Sequence, residues 1–326
     1  MGDKDNKTKK FIEKNRIFAD VFNYFIYDGE QVIKPDDLQQ LDSTEIVLNK
    51  ELPIDKDSVK KYRDVIKHWA IKRDDKATYV LLAVENQSEI HYAMPVRTML
   101  YDALRYANQI ENIATENRRN KKLKSNVEFL SGLLKTDRIL PIITLVINFS
   151  GDAWEAPTKL IQMFPEMDKK VLKYVKNYEI NLIDPVNIPK KNFNKFITEL
   201  REVLLYLKYS NDKNRLYKEV MTDKHFENVP NEAVSLINTL TSANIKISEK
   251  KENSNMCKAL EGLKEDWKKE GEKEGRKEGR KEGQFTALLN LIKSGVITLK
   301  QAAESLNISE TKFKKELKNL SLEPLN

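Results

Sequence analysis

The stretch Tyr79-Val80-Leu81-Leu82-Ala83-Val84-Glu85-Asn86-Gln87-Ser88 is apolar from Val80 to Val84 and then turns polar. It reads as a buried strand that ends on an acid-x-amide pair. Strand side chains alternate between faces, so Glu85 and Gln87 point the same way. A second strand-like segment, Lys61-Tyr62-Arg63-Asp64-Val65-Ile66, carries an acid beside its own apolar residues. If the two segments pair in one sheet, Asp64 joins Glu85 and Gln87 around one point. Two carboxylates and an amide there make an oxygen-rich cradle for a hard divalent cation that keeps several of its waters.

Outward from this pair, the polar run Lys72-Arg73-Asp74-Asp75-Lys76 reads as a hairpin-type connection. Pro95 is tolerated in a first helical turn, so a long helix is expected over 95–119, with a second over about 121–135. Ile139 to Phe149 is nearly all apolar, as expected of a strand covered on both faces. Upstream, Phe11, Ile12, Phe18, Val21, Phe22 and Phe25 recur at helical spacing before the Asp28-Gly29 stop. Leu41 to Leu48 is strand-like, and Asp55 to Asp57 marks a turn. The order is helix, strands, crossover helix, strand: an α/β fold with a mixed central sheet flanked by helices. From 166 to 248 the pattern is mainly helical, with helices expected over Phe193–Leu207 and Phe226–Leu240.

The tail changes character. Lys250 to Glu282 is mostly Lys, Glu, Arg and Gly, with Gly271, Gly275, Gly279 and Gly283 four residues apart. Glu and Lys at helical spacing support a helix, while each glycine costs nearly 1 kcal/mol relative to alanine. A solvated helical linker and a dimer seam are both compatible with that pattern. Two short helices then follow around a tight turn at Leu306-Asn307-Ile308-Ser309, with Thr298 and Ser309 where N-caps belong. This end is helix-turn-helix-like. Lys312 and Lys315 on its second helix suit nucleic-acid contact, although small helical caps also occur without such a role.

Several of these segments together resemble the Rpn family of recombination-promoting nucleases and putative transposases, within the PD-(D/E)XK nuclease superfamily. The matching residues are Phe18-Ala19-Asp20-Val21-Phe22-Asn23, Tyr62-Arg63-Asp64 and Val84-Glu85-Asn86-Gln87-Ser88. After them come the Pro95-to-Ile110 helix with Arg97, Tyr101 and Tyr106, and Leu140-Pro141-Ile142-Ile143 running to Gly151-Asp152-Ala153-Trp154. The Glu-Gly-Arg-Lys tail fits in style. The resemblance covers the first half well and the middle loosely. It implies a restriction-endonuclease-like core over 1–165, followed by a helical extension over 166–248, a charged linker over 249–284 and the small helical end over 285–326.

The resemblance also implies metal-dependent cleavage of DNA phosphodiesters, tied to recombination or transposition. Asp64 and Glu85 would be ligands of Mg²⁺ or Mn²⁺, with the Asn86 backbone carbonyl completing the protein's share. Gln87 stands where most of the superfamily carries lysine, and glutamine is characteristic of the Rpn family. An amide can hold the attacking water but brings no positive charge to the phosphate. Asp20 corresponds to an acid that many members hold near the metal through a water; its other reading is a solvated helix acid. Asn23 would line the same mouth. Arg97, Tyr101 and Arg105 share one helix face, to contact the DNA backbone or to cover the sheet. Lys67 lies at an odd offset from Asp64 and is expected on the opposite face of its strand.

Composition sets the outer bounds. A chain of 326 residues accommodates one large domain or two smaller ones. The net charge of +7 suits a polyanionic partner, but 50 acidic residues dilute it. One cysteine, Cys257, excludes an internal disulfide framework and a cysteine-based zinc site, and His68, His91 and His225 have no metal-ligand spacing. The polar start Met1 to Lys7 lacks the apolar core of a signal peptide, and no apolar run approaches a membrane span. A cytoplasmic protein is expected, with DNA as partner, no membrane contact, and the homodimer a double-strand cutter needs. The alternative is a non-catalytic DNA-binding or assembly protein on a nuclease-like scaffold.

Overall fold

The structure is a computed structural model that describes residues 3–40, 65–73, 76–248 and 251–319. It divides into two compact units, Met1–Lys258 and Ala259–Asn326. The first is α/β. Its five-stranded mixed sheet has the strand order β1 (Leu38–Gln40), β2 (Val65–Arg73), β3 (Lys76–Gln87), β4 (Ile142–Asn148) and β5 (Asn181–Ile183). β1, β2 and β3 pair antiparallel, while β4 runs parallel to β3 and β5 parallel to β4. The expected strand over Leu41–Leu48 and the turn at Asp55–Asp57 lie outside the described residues, as do Asp74 and Asp75 between β2 and β3.

The switch from antiparallel to parallel pairing requires a crossover, which α3 (Met94–Arg119) and the short α4 (Asn126–Ser131) provide between β3 and β4. Pro95 sits in the first turn of α3, as its missing N–H permits. α4 is shorter than the helix expected over 121–135. Ser125 and Glu128 form a capping box at its start, and Gly132 ends it at φ 76°.

Two layers cover the sheet. α1 (Asp3–Ile12) and α2 (Asn15–Tyr27) lie on one face, where Lys67 of β2 hydrogen-bonds the Glu13 carbonyl and the Asn15 side chain at their junction. The sequence read as one helix over 11–27 is therefore broken at Glu13-Lys14, and the buried lysine takes up a carbonyl that the break leaves open. α2 stops as expected: Asp28 adopts a left-handed φ of 54° and its N–H returns to the Asn23 carbonyl. α3 covers the other face, tied to β4 by a 2.7 Å hydrogen bond from Thr144 Oγ1 to Asp102 Oδ1.

Beyond the sheet, α5 is one turn (Lys169–Leu172), and α6 (Leu200–Tyr209), α7 (Lys213–Thr222) and α8 (Asn231–Thr241) pack with buried Leu204, Leu207, Val220 and Ile237. The helix expected over Phe193–Leu207 begins only at Leu200, because Phe196 to Thr198 is extended or bonded to Asp20. Strand β5 falls in the region read as helical.

α9 (Met256–Lys293) begins at the end of the first unit and enters the second, where α10 (Leu299–Ser305) and α11 (Glu310–Asn319) follow it. Within the second unit Phe285, Leu289, Ala302, Ala303, Phe313 and Leu317 form a core, with Phe285 and Phe313 stacked at 4.9 Å. Thr298 caps α10 in a capping box with Gln301, and Ser309 Oγ accepts from Lys312 N. Asn307 turns the chain between the two helices at φ 54°. Among the described residues, a side chain at Gly275, Gly279 or Gly283 would meet nothing within 4 Å of its Cβ.

Candidate functional site

Register decides which side chains meet. Glu85 pairs with Val146 and Gln87 with Asn148, so alternation puts all four on the face that carries Thr144 and is covered by α3. Val65 pairs with Val84, which sets the start of β2 beside the polar end of β3. Asp64 itself lies outside the described residues.

Glu85 is fully buried. Its carboxylate lies 3.6 Å from the Arg97 guanidinium, and the Arg97 side chain is 21% exposed. Asn86 and Gln87 are also buried, and Gln87 Nε2 donates to the Asn86 backbone carbonyl at 3.0 Å. The carboxylate, the Asn86 carbonyl and the Gln87 amide are hard oxygen donors on successive residues, which is the donor chemistry a divalent cation of the Mg²⁺ type takes. Among the described residues no three His, Cys, Asp or Glu side chains gather as a metal cluster.

Arg97, Tyr101 and Arg105 do share a face, and it is turned inward. Tyr101 is 3% exposed and Arg105 is 8% exposed. The Arg97 guanidinium lies 5.8 Å from the centre of the Tyr101 ring, so the tyrosine packs the arginine toward Glu85. Of the three, Arg97 alone keeps an open edge. His91 lies nearby; burial first, and then Arg97, holds its imidazole below the usual range.

Asp20 and Asn23 are used elsewhere. Both belong to α2, in the layer on the Lys67 face rather than the Glu85 face. Asp20 is buried and accepts from Ile197 N, Thr198 N at 2.9 Å and Thr198 Oγ1 at 2.5 Å. Burial raises its pKa despite those bonds. Asn23 clamps the Ile33 backbone, accepting from its N–H at 2.8 Å and donating to its carbonyl at 2.9 Å. Lys67 faces away from Glu85, as its offset implied. In the second unit Lys312 and Lys315 are exposed on α11.

Three polar residues absent from the sequence candidates stand at the same end of the sheet. Asn148, directly after the apolar run of β4, donates to the Asp152 carbonyl at 2.7 Å and to Asp184 Oδ1 at 3.2 Å. Asp184, just past β5, also accepts from Trp154 N at 2.9 Å. Asp5 of α1 accepts from Ser88 Oγ at 2.8 Å. The legible signal for Asn148 was an amide closing a buried strand parallel to β3.

The fold and this strand-end site define an α/β protein with a mixed five-stranded sheet and helical C-terminal regions. The chain belongs to the family described as Putative transposase, YhgA-like, whose model matches residues 30–231 and so takes in all five strands. That membership points to a transposition-related role. Neither a curated protein nor a solved structure matches the chain. No helix among the described residues is long and apolar enough to cross a membrane.

Proposed function

We propose that the protein is a metal-dependent DNA endonuclease whose cutting serves recombination or transposition. The observation that carries this reading is the buried Glu85 carboxylate on the α3-facing side of β3, followed by Asn86 and Gln87. The pairing of Val65 with Val84 supports it, because each is covalently adjacent to one of the two acids, Asp64 and Glu85.

Asp64, Glu85 and the Asn86 carbonyl would hold Mg²⁺ or Mn²⁺. When bound, such an ion lowers the pKa of a coordinated water and neutralises charge on the scissile phosphate. Gln87 orients the attacking water through its amide. Arg97 faces the Glu85 carboxylate with one side of its guanidinium and turns its open edge to a phosphate oxygen. Lys312 and Lys315 bind the DNA backbone by charge, and a homodimer would present two such centres to a duplex.

The test is plasmid nicking by wild type beside Asp64→Ala and Glu85→Ala, with Mg²⁺, Mn²⁺ or EDTA. Metal-dependent cutting that both substitutions abolish, in folded protein, is the expected result. Equal cutting by all three sinks the site assignment. Duplex binding with no cutting by any of them favours the binding or assembly protein instead.

A further inference from the structure

The segment between β4 and β5 forms a hairpin with an unusual tip. Its base is antiparallel, with Leu160 N donating to the Tyr178 carbonyl at 2.8 Å and Ile180 N to the Thr158 carbonyl at 2.9 Å. Tyr178 anchors this base to α3 through a 2.5 Å hydrogen bond to Asp102. Trp154, Ala156 and Ile180 pack with Met94 and Val146. Met94 is one helical turn before Arg97, and Val146 is the register partner of Glu85. The hairpin is thus rooted beside the candidate site, on the same face of the sheet.

The tip behaves differently from its root. Met167, Val171 and Tyr174, spaced i, i+4 and i+7, are 40%, 47% and 87% exposed. Around them Lys169, Lys170, Lys173 and Lys176 are exposed, and among the described residues none of the four is in an ion pair. The tip also carries two acids: Asp168 is the N-cap of α5, accepting from Lys170 N, and Glu166 is exposed. Four lysines against two carboxylates leave the tip with a net positive excess, and that excess around an exposed tyrosine and two apolar side chains matches a sugar-phosphate groove. Lysine neutralises phosphates, and an apolar or aromatic wedge meets sugars and base steps.

We propose that the 158–180 hairpin is a second duplex-DNA contact, gripping the flank of the bound DNA while the β3 end addresses the scissile bond. This rests on the nucleic-acid reading above. The lysines make phosphate contacts, and Tyr174 with Val171 and Met167 seats in the minor groove.

The experiment is fluorescence anisotropy of a short labelled duplex in EDTA across a salt series. It uses full-length wild type, Lys170→Glu/Lys173→Glu, and Tyr174→Ala, all surface changes checked by circular dichroism. The double variant is expected to lose at least about tenfold in affinity and to flatten the log-log salt dependence by about two. Tyr174→Ala is expected to lose roughly tenfold with the slope kept. Unchanged affinity and slope in both variants, or a wild type that binds no duplex, overturns the proposal. So does loss confined to single strands or a preference for anionic vesicles. Nicking read in parallel separates the two ideas: hairpin-dependent binding without cutting sinks the nuclease and leaves the hairpin standing. Metal-dependent cutting with unaltered variant binding does the reverse.

Discussion

The Arg97 guanidinium lies 3.6 Å from the Glu85 carboxylate, pairing a partly open cation with a fully buried anion. A buried carboxylate needs a positive charge to remain ionised, and this pair supplies one from the first turns of α3. A divalent cation arriving at the strand end would share that role, so the pair links the stability of the fold to the site.

Arg97→Met should destabilise the metal-free protein by about 1–3 kcal/mol, less than the usual cost for a fully buried pair because Arg97 keeps a solvent-facing edge. The double variant Glu85→Gln/Arg97→Met should recover most of that loss. Urea unfolding in EDTA measures both. Repeating it with Mg²⁺ should raise the midpoint of Arg97→Met more than that of wild type, since the ion then replaces the missing charge. An equal rise in both would break the link.

Asp20 holds the chain that leads into α6, so its loss should appear first in stability. Asp20→Ala removes the acceptor of several hydrogen bonds and should cost about 2–4 kcal/mol. Asp20→Asn keeps an acceptor oxygen and should cost less. Burial raises the folded pKa of Asp20 above its ordinary 3.8. The native state therefore holds the proton longer than the unfolded chain. Its contribution is fully present below that ordinary value and is lost as pH rises through the folded pKa. The asparagine variant should gain on wild type over that interval in pH-dependent unfolding. It should also keep its nicking activity; abolished cutting in a stable Asp20→Asn would return Asp20 to the chemistry.

These residues show what a sequence displays and what it hides. β3 and β4 were legible because each is an apolar run with a polar end, and Glu85 stood out as the acid at such an end. The helix of the charged tail was legible too, since Glu and Lys at helical spacing outweigh the glycines. β5 was hidden: three residues cannot establish a strand period, and Asn181 to Ile183 is a strand because β4 offers it an edge. Asp20 and Asn23 looked like site residues because they sit in a recognisable motif. Their partners come from other segments: Thr198 lies 178 positions from Asp20, and no local pattern announces such a pairing.

Lys67 should behave as a buried base. Its ammonium group bonds the Glu13 carbonyl and the Asn15 side chain, and burial lowers its pKa from the ordinary 10.5. In the window between the lowered folded pKa and 10.5, the unfolded chain binds more protons than the native state. The protein should therefore gain stability as pH rises through that window. Lys67→Met should lack this rise while retaining much of the side-chain volume. Unfolding free energies measured in steps across that alkaline range give the answer, and a slope identical in both proteins would mean that Lys67 is not desolvated.

The second unit allows fold and charge to be separated. Phe313 is fully buried and stacked on Phe285, so Phe313→Ala should cost about 3–5 kcal/mol and melt the small core. Lys312 and Lys315 are exposed on the same helix, so Lys312→Glu/Lys315→Glu should leave helicity intact. If α11 holds DNA by charge, that double variant should weaken duplex binding and flatten its salt dependence by about two, uniformly across sequences. Single-turnover nicking at saturating DNA should then remain near the wild-type rate, because these lysines add affinity and no chemistry. A helical, folded variant that binds as tightly as wild type would reduce the second unit to a cap. A variant that binds but no longer cuts would mean that α11 positions the scissile strand.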